Sequence, residues 1–87
     1  MSKKQSNKKK RGKYQVTVLN DDFNTIDHVI FCLIEFCDHA PLQATQCANI
    51  IHTNGSCSVF VDTYEECKIV EEALVECKLS VHVTKYK

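Results

Sequence analysis

Asn20, Asp21, Asp22 and Phe23 follow directly on an apolar run, and a single histidine, His52, lies 32 residues beyond the first of them. Two carboxylates and an amide carbonyl at the end of a strand-like stretch are acceptors without a counter-charge, and a neutral imidazole adds another. Such a set suits a cation rather than an anion. Read as chemistry, it is the polar floor of a site that grips a free amino terminus. The same residue types have a purely local use as an Asn/Asp turn leading into a helix, because their side chains hydrogen-bond nearby backbone. What separates the two readings is whether the fold brings His52 and apolar walls to that corner.

The elements that must position these groups can be read from periodicity. From Tyr14 the chain alternates, with Tyr14, Val16 and Val18 on one face and Gln15 and Thr17 on the other, the pattern of a half-buried strand. After the acidic turn, Asn24 or Thr25 can cap a helix whose apolar positions are Ile26, Val29, Ile30, Leu33, Phe36 and Cys37. It ends near Asp38, His39 and Ala40, where Pro41 suits the first turn of a second helix. That helix carries Ala44, Cys47, Ala48 and Ile51 inward and stops at Asn54 and Gly55. His52 lies four residues after Ala48 and shares its face. A short strand over Cys57 to Val61 follows, and Asp62 with Glu65 resembles a capping box for a third helix running to about Lys78. In that helix Ile69, Val70, Ala73, Leu74 and Cys77 face inward, with Glu65, Glu66, Lys68, Glu71 and Glu72 largely outward. Leu79 to Thr84 alternates again as a last strand. The order β-α-α-β-α-β predicts an α+β sandwich, with three helices packed on a three-stranded, mostly antiparallel sheet.

Composition narrows the function. A chain of 87 residues is one domain, better suited to a small binding module than to an enzyme with a deep cleft. Net charge is zero, yet Lys3, Lys4, Lys8, Lys9, Lys10, Arg11 and Lys13 all fall at the start, so the remainder is acidic. Residues 1–13 have too little apolar surface to order themselves and are expected to be a disordered basic tail before a domain over 14–87. No apolar run is long enough for a membrane span, and no apolar signal core follows the first charges, so a cytoplasmic, soluble protein is expected. The six cysteines include no Cys-x-x-Cys pair, and the last five recur every ten residues, in different elements. Reduced thiols acting as small buried hydrophobes are the expectation, with a zinc site built on Cys37 and His39 as the weaker alternative and no cofactor. No nucleophile and base are arranged as a pair, and there is no phosphate loop.

Taken together, Asn20-Asp21-Asp22-Phe23, Asp27 and Val29, Ala44-Thr45, His52-x-x-Gly55, and a Val-Phe pair ahead of an acidic helix with Glu66 and Lys68 resemble the ClpS family. The resemblance covers Tyr14 to Thr84. That family comprises adaptors of the Clp protease that recognise N-degrons, so the resemblance implies a non-catalytic, monomeric adaptor. It implies that Asn20, Asp21 and His52 receive the α-ammonium of a substrate's first residue, with Asp22 and Asn24 supporting the loop. Ile26, Val29, Ala48, Ile51 and Val81 would line a pocket for the first side chain, and Glu66 and Lys68 would dock the N-terminal domain of an AAA+ Clp unfoldase.

The sequence also departs from the family. Asn24-Thr25 replaces the usual Thr-Pro, and Glu65-Glu66 replaces the usual Ala-Glu in the third helix. The loop after Gly55 is shorter than is common. Ala48 stands where a larger residue is frequent, which predicts a wider pocket. The alternative class is a ribosome- or RNA-associated module that uses the basic tail, since clustered lysines bind phosphates. The absence of aromatic residues among those lysines argues against it. Deleting residues 1–13 would separate the two, abolishing RNA retention but sparing peptide binding.

Overall fold

The computed structural model describes residues 13–86. Strand β1 (Tyr14–Leu19) is the middle of a three-stranded sheet, flanked by β2 (Ser56–Asp62) and β3 (Ser80–Lys85), both antiparallel to it. The helices are α1 (Ile26–Phe36), α2 (Pro41–Asn54) and α3 (Tyr64–Glu76), giving the expected β-α-α-β-α-β order and α+β class. Val16 and Val18 of β1 are almost completely buried, and they meet Cys32 and Leu33 of α1, Ala44, Ala48 and Ile51 of α2, and Cys67, Val70 and Leu74 of α3 in one core. Thr17, between these valines, takes the opposite face, as the two-residue period requires. No helix among the described residues is long and apolar enough to cross a membrane.

The capping chemistry is local. Thr25 Oγ1 accepts from His28 N and opens α1, one of the two caps foreseen. At α2, Ala40 has no side-chain acceptor; Gln43 Oε1 reaches back to its N–H while Pro41 supplies a helical φ without an orphan donor. The third helix corrects the expected box. Its cap is Thr63, whose hydroxyl accepts from Glu66 N, because Asp62 is held extended opposite Tyr14 as the last residue of β2. The helix also stops at Glu76 rather than Lys78: Lys78 adopts φ 73°, which ends the helical run, and Leu79 N turns back to Leu74 O.

Three residues expected inward are exposed, the first of them Ile26, 38% exposed on the opening turn of α1. Ile69 is 61% exposed since Val70, its neighbour 100° round the helix, takes the inward position. Phe36 is 40% exposed on the last turn of α1: periodicity fixes a face but not how far along the helix its neighbours extend. Strand β2 is longer than expected, and its register shifts between Val16 and Thr17, so that Phe60 pairs with Val16 while Ser58 pairs with Thr17 and Val59 is the extra residue of a bulge. The lysine-rich tail lies outside the described residues except for Lys13, whose carbonyl accepts from Tyr86 N at 3.0 Å.

Gly55 closes α2 with φ 100° and ψ −21°, its N–H on Ile51 O. Its own carbonyl then accepts from Asn20 N at 2.8 Å, which ties the end of α2 to the end of β1. A Cβ at this position would meet nothing within 4 Å, so only backbone conformation opposes a side chain. Gly55→Ala is therefore expected to destabilise the fold by about 1 to 2 kcal/mol, the cost of left-handed backbone for an L-residue. Urea unfolding with an unchanged slope and a lower midpoint would show it. An unchanged midpoint would contradict it.

Candidate functional site

Where β1 ends, α1 begins and α2 closes, the chain leaves a cavity of about 370 Å³. Its polar side is Asn20, Asp21, Asp22, Asn24, Thr25 and His52, and its apolar side is Ile26, Val29, Ala48 and Ile51. Val29, Ala48 and Ile51 are buried, so the apolar floor belongs to the core itself, whereas Ile26 is part-exposed at its edge. The Asn20 N to Gly55 O bond is what carries His52 to the acidic corner, since it joins the strand end to the residue that stops α2.

Asp21 organises the corner. One carboxylate oxygen accepts from both Phe23 N and Asn24 N at 2.9 Å, and the other accepts from Asn24 Nδ2 at 2.8 Å. A carboxylate offers about four lone-pair sites. Three are committed to the loop and one is left for a donor in the cavity. The Asn24 backbone N–H above all, then its side-chain amide, the Phe23 N–H and the field of His28, hold this carboxyl below the usual carboxylate range against a smaller opposing push from burial. It is therefore an anion at neutral pH.

The loop is fastened from outside as well. Asn24 Nδ2 also donates to Lys78 O at 2.9 Å, and His28 Nε2 lies 2.8 Å from Cys77 O, so two side chains of the loop and of α1 grip the carbonyls that end α3. His28 and these carbonyls escape sequence reasoning, because a backbone carbonyl 49 residues away carries no residue signature. Thr25 was legible as a cap but not as a cavity wall.

Val81 does not line the cavity. It pairs with Val18 across the β1–β3 ladder and packs half-buried on the core. Glu66 and Lys68 lie in the first turns of α3, at the end away from Cys77. There the Lys68 ammonium sits 2.7 Å from Glu71, which pushes its pKa up, and 5.9 Å from the Tyr64 ring centre. Tyr64 in turn meets Tyr14 edge to face at 5.1 Å.

The cysteines are free thiols, with Cys32, Cys37 and Cys67 buried. Burial is the main cause that pushes Cys32 and Cys37 to about 12 and Cys57 to about 11, which keeps these groups protonated and poor as nucleophiles or ligands at neutral pH. Among the described residues no three His, Cys, Asp or Glu side chains are grouped as metal ligands. What the cavity can do chemically is accept a group that is cationic at one end and apolar at the other, with donors met by Asp21, Asn20 and His52 and the apolar part by the core.

Comparison with known proteins finds relatives of the chain. Residues 9–82 match the family described as ATP-dependent Clp protease adaptor protein ClpS. The chain is 40% identical over 53 residues to the ATP-dependent Clp protease adapter protein ClpS of Thermosynechococcus vestitus, an alignment covering 60% of this chain and 56% of that relative. The chain thus spans little more than half the length of this relative. Its fold resembles that of Agrobacterium tumefaciens ClpS2 bound to L-phenylalaninamide, with a TM-score of 0.80 over 87% of this chain and 99% of the other. At 21% identity that likeness is one of fold.

Proposed function

Since the chain belongs to the ClpS family of Clp protease adaptors, we propose that it binds the free α-amino group and bulky apolar first side chain of N-degron proteins and delivers them to an AAA+ Clp unfoldase. The observation that carries this reading is the single cavity wall shared by an anionic corner and the hydrophobic core. An α-ammonium has three donors, and Asn20, the free lone pair of Asp21 and the imidazole of His52 are three acceptors at one mouth. The first side chain then descends among Ile26, Val29, Ala48 and Ile51. The protein catalyses nothing itself, and Glu66 and Lys68 face the unfoldase. The ClpS2 neighbour supports the reading through its ligand, a phenylalanine derivative.

The deciding experiment is calorimetry with two peptides that begin with Phe and differ only in acetylation of the amino terminus. Binding of the free form alone is the expected result. Equal binding of both would remove the ammonium site.

Ala48, 2% exposed in the cavity floor, sets the width of the pocket. The unmodified chain is expected to accept Ile or Val first residues nearly as well as Leu or Phe. Ala48→Met should fill that space and cost the β-branched residues roughly tenfold more than Leu, the scale of misfit in an apolar pocket. A peptide series titrated against both proteins checks this. Rejection of Ile and Val by the unmodified chain would contradict it.

A further inference from the structure

Phe23 stands at 92% exposure, more than any other large apolar side chain described, on the loop that carries the acidic corner. Its neighbours on either side, Asp22 and Asn24, both line the cavity, while Phe23 itself does not. Nor is it a loose residue. Its N–H is bonded to Asp21 Oδ1 at 2.9 Å, and the next residue is held by Asp21 and by Lys78 O, so the ring projects from a fixed backbone. A ring of this kind buries about 150 to 250 Å² when it finds a partner, and here that area is left in water beside the mouth of a binding cavity.

The position of the loop selects the partner. With an ammonium at Asp21 and the first side chain in the apolar floor, the peptide must leave over the rim, and successive Cα atoms are only 3.80 Å apart. The second residue is the first to clear the cavity, and Phe23 follows the ammonium acceptor by two positions in the chain. We propose that Phe23 is a second-residue subsite, an exposed aromatic rim that packs on an apolar side chain at position two of the bound peptide. This rests on the ammonium-site reading above and adds to it a specificity-determining residue outside the pocket.

The test is a coupling measurement by calorimetry. Peptides beginning Phe-Leu, Phe-Gly and Phe-Gly-Leu are titrated against the unmodified chain, Phe23→Ser and Phe23→Tyr. The unmodified chain should prefer Phe-Leu over Phe-Gly by roughly fivefold, the scale of one partly buried apolar contact. That ratio should fall close to one in Phe23→Ser and return in Phe23→Tyr. Because the side chain is exposed, unchanged thermal melting of both variants would place the effect at the rim. A ratio that survives in Phe23→Ser overturns the subsite, as does a uniform loss across peptides with the ratio intact, or a preference that follows the third residue instead of the second. If no peptide with a free amino terminus binds the unmodified chain, the ammonium site itself fails and the subsite falls with it.

Discussion

Asp21→Asn is expected to weaken binding of a free-amino-terminal peptide by about 30- to 100-fold, the equivalent of about 2 to 3 kcal/mol for a charge-assisted hydrogen bond at the mouth of an apolar cavity. The loss has two sources. The anion that faces the ammonium is gone, and the loop is disturbed, since the new amide nitrogen would confront either Asn24 Nδ2 or the two backbone donors now held by the carboxylate. Titration calorimetry measures the first and a thermal melt the second. Retained affinity in a folded variant would sink the assignment of Asp21. The carboxyl of Asp21 is lowered below its ordinary 3.8 in the folded chain, so its contribution to stability is complete above that value and is lost only as pH falls through the lower, folded value. A fall in peptide affinity between about pH 7 and 5 therefore cannot come from Asp21. His52→Ala removes the imidazole acceptor from the cavity and is expected to weaken binding of the same peptide, and unchanged affinity in a folded variant would contradict its place in the site.

Leu74→Ala should be the most damaging single change to the fold. Leu74 is fully buried on α3, the helix that contacts all three strands, and its carbonyl accepts from Cys77 N and Leu79 N where the helix turns into β3. Removing its side chain costs about 2.7 to 5 kcal/mol through lost transfer energy and the cavity left behind. A domain of this size has only about 4 to 11 kcal/mol to lose. The melting temperature is expected to fall by at least about 10 °C, with the domain close to unfolding at the upper end. Leu74→Met, which keeps the volume, should cost under about 1.5 kcal/mol. A shift below about 5 °C for the alanine variant would mean that α3 collapses onto the sheet without strain.

Much of this architecture could be read from residue spacing, for identifiable reasons. The alternation of β1 and β3 and the stripes through Val29 and Leu33, and through Ala44, Ala48 and Ile51, are set by the two periods of the backbone and survive in the structure. Gly55 was legible because a helix that ends in left-handed backbone favours glycine. The start of α3 was misread by one residue because Asp62 and Thr63 are both good caps, and the choice was made by a cross-strand partner, Tyr14. Residue spacing gave only the polar half of the cavity. Nothing in it joins Ile26 or Ile51 to Asp21; the family resemblance grouped them, and the Asn20–Gly55 bond brings their elements together. The grip of Asn24 and His28 on the end of α3 was invisible, as its acceptors are main-chain atoms of Lys78 and Cys77.

Lys13 and Tyr86 are joined at the edge where β1 begins, while the cavity opens beyond the residue where β1 ends, Leu19. Traction applied to the backbone ahead of Tyr14 would enter the middle strand lengthwise, with six residues paired to a neighbour on each side. Antiparallel hydrogen bonds run across the strand, so such a pull shears both ladders at once instead of unzipping them one by one. The same domain tugged by its last residues would peel β3, a border strand, bond after bond. Its mechanical strength should thus depend on which end is held, with the leading end the tougher handle.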